Sequence, residues 1–170
     1  MSDTKDSKIK SLIKEYVPYI VALIIIIIIK INVITPIRVN GESMDTTLKD
    51  GDIMLLNILD YKMHGLKRFD IVVVKTDRDL IIKRVIGLPG EIIEYKDNQL
   101  YVDGKKVKEN YGSKKTEDFK KYVPKGSYFV LGDNRTNSMD SRYYGPFKEE
   151  KIMGKTSYTI FPFTRFGTKK

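Results

Sequence analysis

Residues 80–91 read LIIKRVIGLPGE, a stretch that predicts a β-strand ending in a tight turn. Its first eight residues are rich in β-branched side chains, and Leu88-Pro89-Gly90 has the composition of a turn. Because side chains alternate between the two faces of a strand, either Lys83 or Arg84 must face inward or lie at the sheet margin. A lysine among apolar neighbours is desolvated, which lowers its pKa. A lysine that protects an exposed sheet edge is the alternative.

Similar runs recur from residue 52 to the C-terminal region, each bounded by turn residues. They are Asp52–Ile58, Asp70–Lys75, Leu80–Leu88, Glu91–Tyr95, Gln99–Val102, Ser127–Leu131 and Lys155–Phe161. Asp103-Gly104 predicts a hairpin with a type I′ turn, and Lys96-Asp97-Asn98 predicts another turn. No segment after residue 38 has a long helical period. Residues 38–170 are therefore predicted to form a mainly antiparallel β domain.

An apolar segment precedes this domain. Residues 17–37 read VPYIVALIIIIIIKINVITPI, with Lys30 as the only charge. At about 1.5 Å per residue, a helix over this segment spans about 31 Å, the thickness of the hydrocarbon core of a bilayer. A buried strand is the alternative, since isoleucine favours β structure, but no turn interrupts the segment. We predict a transmembrane helix over 17–37, which is retained because no small-residue cleavage pattern follows it.

Basic residues on either side of this segment predict its orientation. Four lysines lie in residues 1–16, whereas only Arg38 and Lys49 are basic within residues 38–52. Positive charge is concentrated on the cytoplasmic side of membrane helices. Residues 1–16 are therefore predicted to be cytoplasmic and residues 38–170 extracytoplasmic, in a single-pass protein of the cell membrane.

The composition limits the possible chemistry. The 170 residues include no cysteine and one histidine, His64. This excludes disulfides, cysteine nucleophiles, iron–sulfur clusters and HExxH zinc sites. A hydrolase of this composition must activate its nucleophile with a carboxylate, a lysine or His64, and His64 lies in a segment predicted to be a polar turn. No metal or cofactor is predicted.

The charge indicates possible partners. The net charge is +9, from 31 basic and 22 acidic residues, and most of it belongs to residues 38–170. A basic domain tethered beside a membrane predicts anionic lipid as a partner. The lysine-rich stretch 105–125 is interpreted as an exposed, mobile insertion. No zinc-finger spacing or RNA-binding signature supports nucleic acid as a partner.

Two further segments are rich in reactive or charged side chains. Residues 40–48 read NGESMDTTL, a Gly-x-Ser pattern in which backbone N–H groups can face a bound oxygen. A polar turn leaving the membrane is the alternative. Residues 132–146 read GDNRTNSMDSRYYGP, which predicts a loop held by its own hydrogen bonds and ion pairs. A calcium loop is disfavoured because the closing Glu and the Asp-x-Asp spacing are missing.

Taken together, these segments resemble type I signal peptidases, the membrane-anchored Ser/Lys proteases that release secreted proteins from their signal peptides. The resembling blocks are Ser43-Met44, Gly51-Asp52, residues 68–73, residues 83–91, residues 132–135, residues 137–142 and Gly154-Lys155. They cover nearly the whole chain, and the short length is similar to the Gram-positive branch. The resemblance implies an antiparallel β-sheet catalytic domain of signal-peptidase type, preceded by one N-terminal transmembrane helix.

The resemblance also implies roles for the residues at matching positions. Ser43 would be the nucleophile, with its backbone N–H as an oxyanion donor, and Lys83 would be the general base. Ser138 would hydrogen-bond Lys83, and Asp140 would order the site. The implied structural ion pairs involve Asp133, Arg84 and Arg142.

Two positions depart from the pattern of the family. Thr46 stands where the family has a proline. Because threonine does not fix the backbone as proline does, the chain just after Ser43 is expected to be less rigid. Gly41 stands where some members have a hydroxyl that donates to the oxyanion, so a different donor is expected here.

The expected activity is removal of signal peptides, with small residues at positions −1 and −3, from secretory preproteins at the outer membrane surface. One alternative is a non-catalytic assembly factor that keeps the peptidase fold, for example in pilus biogenesis. The presence of both Ser43 and Lys83 argues against it. The other is a membrane-tethered binding module that uses the lysines of residues 105–125.

Overall fold

One long helix, α1, is followed by twelve short strands and two short helices in the described part of the chain. The computed structural model describes residues 3–32, 34–112 and 115–169. The helices are α1 (Asp3–Asn32), α2 (Ile58–His64) and α3 (Ser141–Tyr144). The strands are β1 (Ile34–Arg38), β2 (Ile53–Asn57), β3 (Ile71–Lys75), β4 (Leu80–Gly87), β5 (Ile92–Lys96), β6 (Gln99–Val102), β7 (Lys105–Val107), β8 (Phe119–Tyr122), β9 (Ser127–Leu131), β10 (Phe147–Lys148), β11 (Ile152–Phe161) and β12 (Gly167–Thr168).

The strands form two antiparallel sheets. The larger sheet has the order β1-β2-β11-β3-β4-β9-β10, with β12 paired to β11. The smaller sheet has the order β7-β6-β5-β8. Every described strand pair is antiparallel, so the predicted mainly β, antiparallel fold is confirmed.

Both hairpin turns of the smaller sheet have the backbone that their sequences predict. Asp97 and Asn98 have φ of 51° and 59°, and Asp103 and Gly104 have φ of 49° and 76°. Two successive positive φ values are typical of type I′ turns, whose twist matches that of the flanking strands. These turns set the register of β5, β6 and β7.

Three clusters of buried side chains hold the fold together. One joins the smaller sheet to the larger one around Phe129, and a second lies on the opposite face of β3, β4 and β9. The third contains Met44 and Leu48, which follow β1 and pack on Ile71 of β3. Burying one such side chain contributes roughly 1.5–3 kcal/mol. The third cluster therefore fixes the segment that carries Ser43.

The N-terminal helix differs in its bounds from the helix predicted over residues 17–37. It begins at Asp3 and ends at Asn32, and Pro36 lies in β1 opposite Leu55. The predicted end at residue 37 is wrong because proline disfavours helical backbone in the residue before it, while its neighbours favour strand. In the part of the chain that the structure describes, no helix combines the length and apolar character needed to span a bilayer.

Two short segments form elements that were not predicted. The lysine-rich stretch 105–125 has exposed lysines in its described part, and it supplies β7 and β8, whose Val107 and Phe119 pack against the cluster around Phe129. The mobility of this stretch stays a prediction. His64 ends α2 and does not lie in a turn. This helix begins at a cap in which the Asn57 side chain accepts a hydrogen bond from the Asp60 N–H at 2.8 Å. Its seven residues are too few to show a helical period in the sequence.

Candidate active site

Ser43 and Lys83 meet at the margin of the larger sheet. Ser43 lies in the turn that follows β1, and Lys83 lies on β4. The Lys83 Nζ is 2.6 Å from the Ser43 Oγ and 3.1 Å from the carbonyl oxygen of Ile82. An amine at this distance from a hydroxyl can exchange a proton with it directly.

Burial changes the acidity of Lys83. Its side chain lies opposite Val72 of β3, and the residue is 3% exposed. Desolvation lowers the pKa of the amine from 10.5 to about 8, against the opposing charges of Asp140 and Asp133. A substantial fraction of Lys83 is therefore neutral at mildly alkaline pH.

A buried ion pair attaches β4 to the loop 132–146. The Asp133 carboxylate accepts from the Arg84 Nε at 2.8 Å and from a terminal nitrogen of the same guanidinium at 2.6 Å. Both side chains are fully buried. The Thr47 hydroxyl donates to the same carboxylate at 2.5 Å, and Arg84 also donates to the carbonyl oxygen of Phe69 at 2.9 Å. The pair thus joins the segment after Ser43, β4 and the polar loop.

Asp140 closes the other end of this loop. Its carboxylate accepts from the Gly132 N–H at 3.0 Å and from two nitrogens of the Arg142 guanidinium at 2.9 and 2.8 Å. Burial raises the pKa of Asp140, but the hydrogen bonds from Arg142 and Gly132 outweigh it, so the pKa lies below its usual value. Asp140 is therefore ionised and contributes negative charge near Lys83.

The structure does not form the expected hydrogen bond between Ser138 and Lys83. Among the described atoms, the buried Ser138 Oγ has no partner with the distance and angle of a hydrogen bond, although it lies close enough to the Asp140 carboxylate to help lower the pKa of Asp140. The hydroxyl packs against Gly132, where any Cβ would overlap both Ser138 and the carbonyl oxygen of Ser43. Ser138 is thus brought next to the Ser43 carbonyl, while its hydroxyl makes no hydrogen bond to the Lys83 amine.

The sequence did not indicate the contacts of Asn134. Its backbone N–H donates to the carbonyl oxygen of Ser43 at 3.0 Å, and its Nδ2 donates to the carbonyl oxygen of Glu42 at 3.2 Å. Asn134 lies in the polar loop, but its partners are about 90 residues away in the chain. Only its place in a loop dense in hydrogen-bonding side chains could have indicated a role.

A second missed contact involves the C-terminal segment. The Arg165 guanidinium forms an ion pair with the buried carboxylate of Asp52 at 2.9 Å and donates a hydrogen bond to the carbonyl oxygen of Thr47 at 3.4 Å. The Asp52 carboxylate also accepts from the Lys49 N–H at 2.9 Å. The C-terminal segment therefore supports the same turn that carries Ser43.

A cleft of about 640 Å³ opens beside Ser43 and Lys83. One wall is formed by residues 38–44 and the other by the first half of β4, with Asn137 and Met139 at one side. β9 pairs with β4 only from Arg84 onward. In the described sheets, the edge of Leu80–Lys83 away from β3 therefore has no strand partner. An extended peptide can add to such an edge through backbone hydrogen bonds.

An antiparallel β domain with a buried amine beside a serine hydroxyl is typical of Ser/Lys hydrolases. The model of the family described as signal peptidase, peptidase S26, matches residues 12–161. The chain belongs to this signal peptidase family.

Similar proteins come from several bacteria. Signal peptidase IB of Staphylococcus aureus is 39% identical, over 92% of this chain and 93% of that protein. Signal peptidase I V of Bacillus subtilis is 43% identical, over 81% of this chain and 92% of that protein. The crystal structure of a signal peptidase I from Enterococcus faecalis is 40% identical, covers 53% of this chain and 95% of that chain, and has a TM-score of 0.49.

Proposed function

We propose that this chain removes N-terminal signal peptides from secretory preproteins, with Ser43 as the nucleophile and Lys83 as the general base. One observation carries the assignment of roles: a desolvated amine with a pKa of about 8 lies 2.6 Å from the Ser43 Oγ. A neutral amine can accept the hydroxyl proton, and the sequence offers no cysteine as an alternative nucleophile. Membership of the signal peptidase family supports the substrate class.

Acylation would use these two side chains alone. The Ser43 Oγ forms a bond to the scissile carbonyl carbon, its proton passes to the Lys83 Nζ, and the carbonyl π electrons move to the oxygen. As the carbonyl re-forms, the peptide C–N bond breaks, and Lys83 returns the proton to the leaving amine. Lys83 then takes a proton from water, the hydroxide attacks the acyl carbon, and Ser43 leaves with the proton from Lys83.

The surrounding ion pairs would keep this geometry. The Arg84–Asp133 pair is fully buried and joins the base-bearing strand to the loop 132–146. Asp140 and Arg142 close that loop. We propose that these four residues hold the site in place and take part in no step of the reaction.

The unpaired edge of β4 would bind the substrate as an added strand. Leu80–Lys83 leads directly to the base, so a peptide paired with this edge places one of its carbonyls beside Ser43. Backbone pairing is independent of side-chain identity, which suits an enzyme that cleaves many different preproteins. Selection of small side chains would then depend on the cleft walls.

The helix α1 is proposed to anchor the chain in the cell membrane, with residues 1–16 in the cytoplasm. Its large apolar side chains between Tyr16 and Ile27 are 44–71% exposed. They occupy ten of the twelve positions from 16 to 27 and so surround the helix, in contrast to the single apolar stripe of a helix on a protein surface. A lipid environment would cover them, and anionic lipid would attract the basic domain.

The non-catalytic alternative has less support. An assembly factor that merely keeps the peptidase fold has no need for a desolvated lysine at a serine hydroxyl. The hydrogen bond of 2.6 Å between Lys83 and Ser43 favours the enzyme.

Cleavage of a full-length secretory preprotein by the full chain in detergent tests the proposal. The wild-type chain should release the signal peptide, whereas Ser43→Ala and Lys83→Ala should lose nearly all turnover and keep the same circular dichroism spectrum. Ser157→Ala removes an exposed serine of β11 that does not line the cleft, and it serves as the matched control. Cleavage by Ser43→Ala at the wild-type rate would contradict the proposed roles.

A further inference from the structure

Asn134 holds the two carbonyl groups on either side of the Ser43 α-carbon. Its Nδ2 donates to the Glu42 carbonyl oxygen, and its backbone N–H donates to the Ser43 carbonyl oxygen. The residue is 6% exposed, so water competes little for these hydrogen bonds. Gly132, two residues earlier, lies so close to the Ser43 carbonyl that only glycine fits there. The loop therefore fixes the backbone of the nucleophile from one side.

Fixing these carbonyls also fixes two N–H groups. In a trans peptide, the C=O and N–H bonds lie in one plane and point in opposite directions. The Glu42 carbonyl shares its peptide with the Ser43 N–H, so that N–H points away from Asn134. Among the described residues, no acceptor receives a hydrogen bond from the Ser43 N–H. The residue itself lines the cleft.

We infer that Asn134 is a positioning residue that aims the Ser43 N–H at the oxygen of the scissile carbonyl. This inference rests on the proposed function of Ser43. The oxygen becomes negatively charged when the Ser43 Oγ attacks, and a donor that is already aligned stabilises this charge. Gly41 offers no side-chain donor, so no hydroxyl at that position compensates for a misaligned N–H.

The alternative is that Asn134 only holds the loop together. In that case its replacement would lower stability, but the folded enzyme would bind the transition state as well as before. The oxyanion role instead predicts a selective loss for ligands that place a negatively charged or strongly polarised oxygen beside Ser43. A peptide aldehyde does this, because the Ser43 Oγ adds to its carbonyl carbon and the former carbonyl oxygen accepts from the N–H. The matching peptide alcohol binds without forming this adduct.

The test uses Asn134→Leu, which has a similar volume, keeps the backbone N–H and removes the side-chain donor. The full chain in detergent is assayed for single-turnover acylation of a preprotein, and for inhibition by a peptide aldehyde and its alcohol. We expect acylation and the aldehyde-to-alcohol affinity ratio to fall on the order of 10- to 100-fold. Affinity for the alcohol should stay within about threefold of wild type. The midpoint of the pH dependence of acylation should stay within about 0.3 pH units of wild type.

A matched control and a second variant keep the result decisive. Thr136→Val removes a hydroxyl that contacts the Asn134 Oδ1 at 3.4 Å and should leave acylation and the ratio within about threefold of wild type. If Asn134→Leu does not fold by circular dichroism, Asn134→Asp is measured, because it keeps the shape and replaces the donating amide by an acceptor.

The outcomes separate this inference from the proposed function. An unchanged affinity ratio in a folded Asn134 variant, together with an inactive Ser43→Ala, overturns the inference and leaves the proposed function intact. Cleavage by Ser43→Ala overturns both.

Discussion

At the scale of single residues, the acidity of Lys83 predicts the pH dependence of cleavage. In the proposed mechanism, the amine must be neutral to accept the Ser43 proton, and burial lowers its pKa to about 8. We expect kcat/KM to fall about tenfold per pH unit below that pH and to level off above it. Lys83→Arg should be inactive at every pH, because guanidinium does not lose its proton in this range. A variant that kept more than about a tenth of wild-type activity would contradict a base role for Lys83.

The same burial predicts how Lys83 affects stability. Between about pH 8 and 10.5 the unfolded chain holds the lysine proton while the folded chain has lost it. The free energy of unfolding therefore rises with pH across that window. Below about pH 8, Lys83 is charged in both states, and burying this charge destabilises the folded chain. At pH 7, Lys83→Met should raise the free energy of unfolding by roughly 1–3 kcal/mol, a gain that shrinks above pH 8. Denaturant titrations measure this, with exposed Lys75→Met as a control; a lower stability at pH 7 would contradict it.

Thr46 has a backbone that its residue type disfavours. Its φ is 90°, a value that is rare for β-branched residues and that proline cannot adopt. The residue that replaces the proline expected from the resemblance therefore has a backbone conformation that proline could not adopt. Thr46→Gly should raise the free energy of unfolding by about 1 kcal/mol, whereas Thr46→Pro should lower it by more than about 2 kcal/mol. Thermal unfolding measures both. Stabilisation by proline would show that the turn has another conformation.

At the scale of elements, the C-terminal segment supports the turn that carries Ser43. Arg165 lies beyond the residues matched by the family model, yet it pairs with the buried Asp52. Arg165→Met would leave that carboxylate with the Lys49 N–H and should lower the free energy of unfolding by about 1–3 kcal/mol. Arg78→Met, an exposed arginine in the turn between β3 and β4, is the control. Equal stability of the two variants would show that the pair contributes nothing.

Elements and site residues differ in how far the sequence predicts them. β4 was predicted almost to the residue, because its apolar run and the following Pro-Gly turn are local signals. The seven-residue α2 is too short to give such a signal. The helix was predicted to extend to residue 37, although Pro36 favours the extended backbone that the structure has there. Family motifs indicated Ser43 and Lys83. The partners of Asn134 and Arg165 follow from the packing of distant segments, which no local pattern reports.

At the scale of the whole molecule, the proposed anchor predicts which part of the chain an external protease can reach. Protease added to intact protoplasts should degrade the domain that follows α1 and leave residues 1–16 protected. Permeabilised protoplasts are the control, since there both parts become accessible. Protection of the domain with loss of the N-terminal residues would reverse the proposed orientation.

The long separation of Asn134 from Glu42 also has a consequence for the time at which the enzyme becomes active. The two residues are 92 positions apart, and the Thr47–Asp133 hydrogen bond spans 86. At about 5–20 residues per second, a ribosome needs roughly 5–20 s to add the loop after Ser43 has been made. During this interval the nascent chain carries its serine without the carboxylates and amide that order it. Synthesis order thus delays assembly of the site until the residues 132–142 that support it have been made.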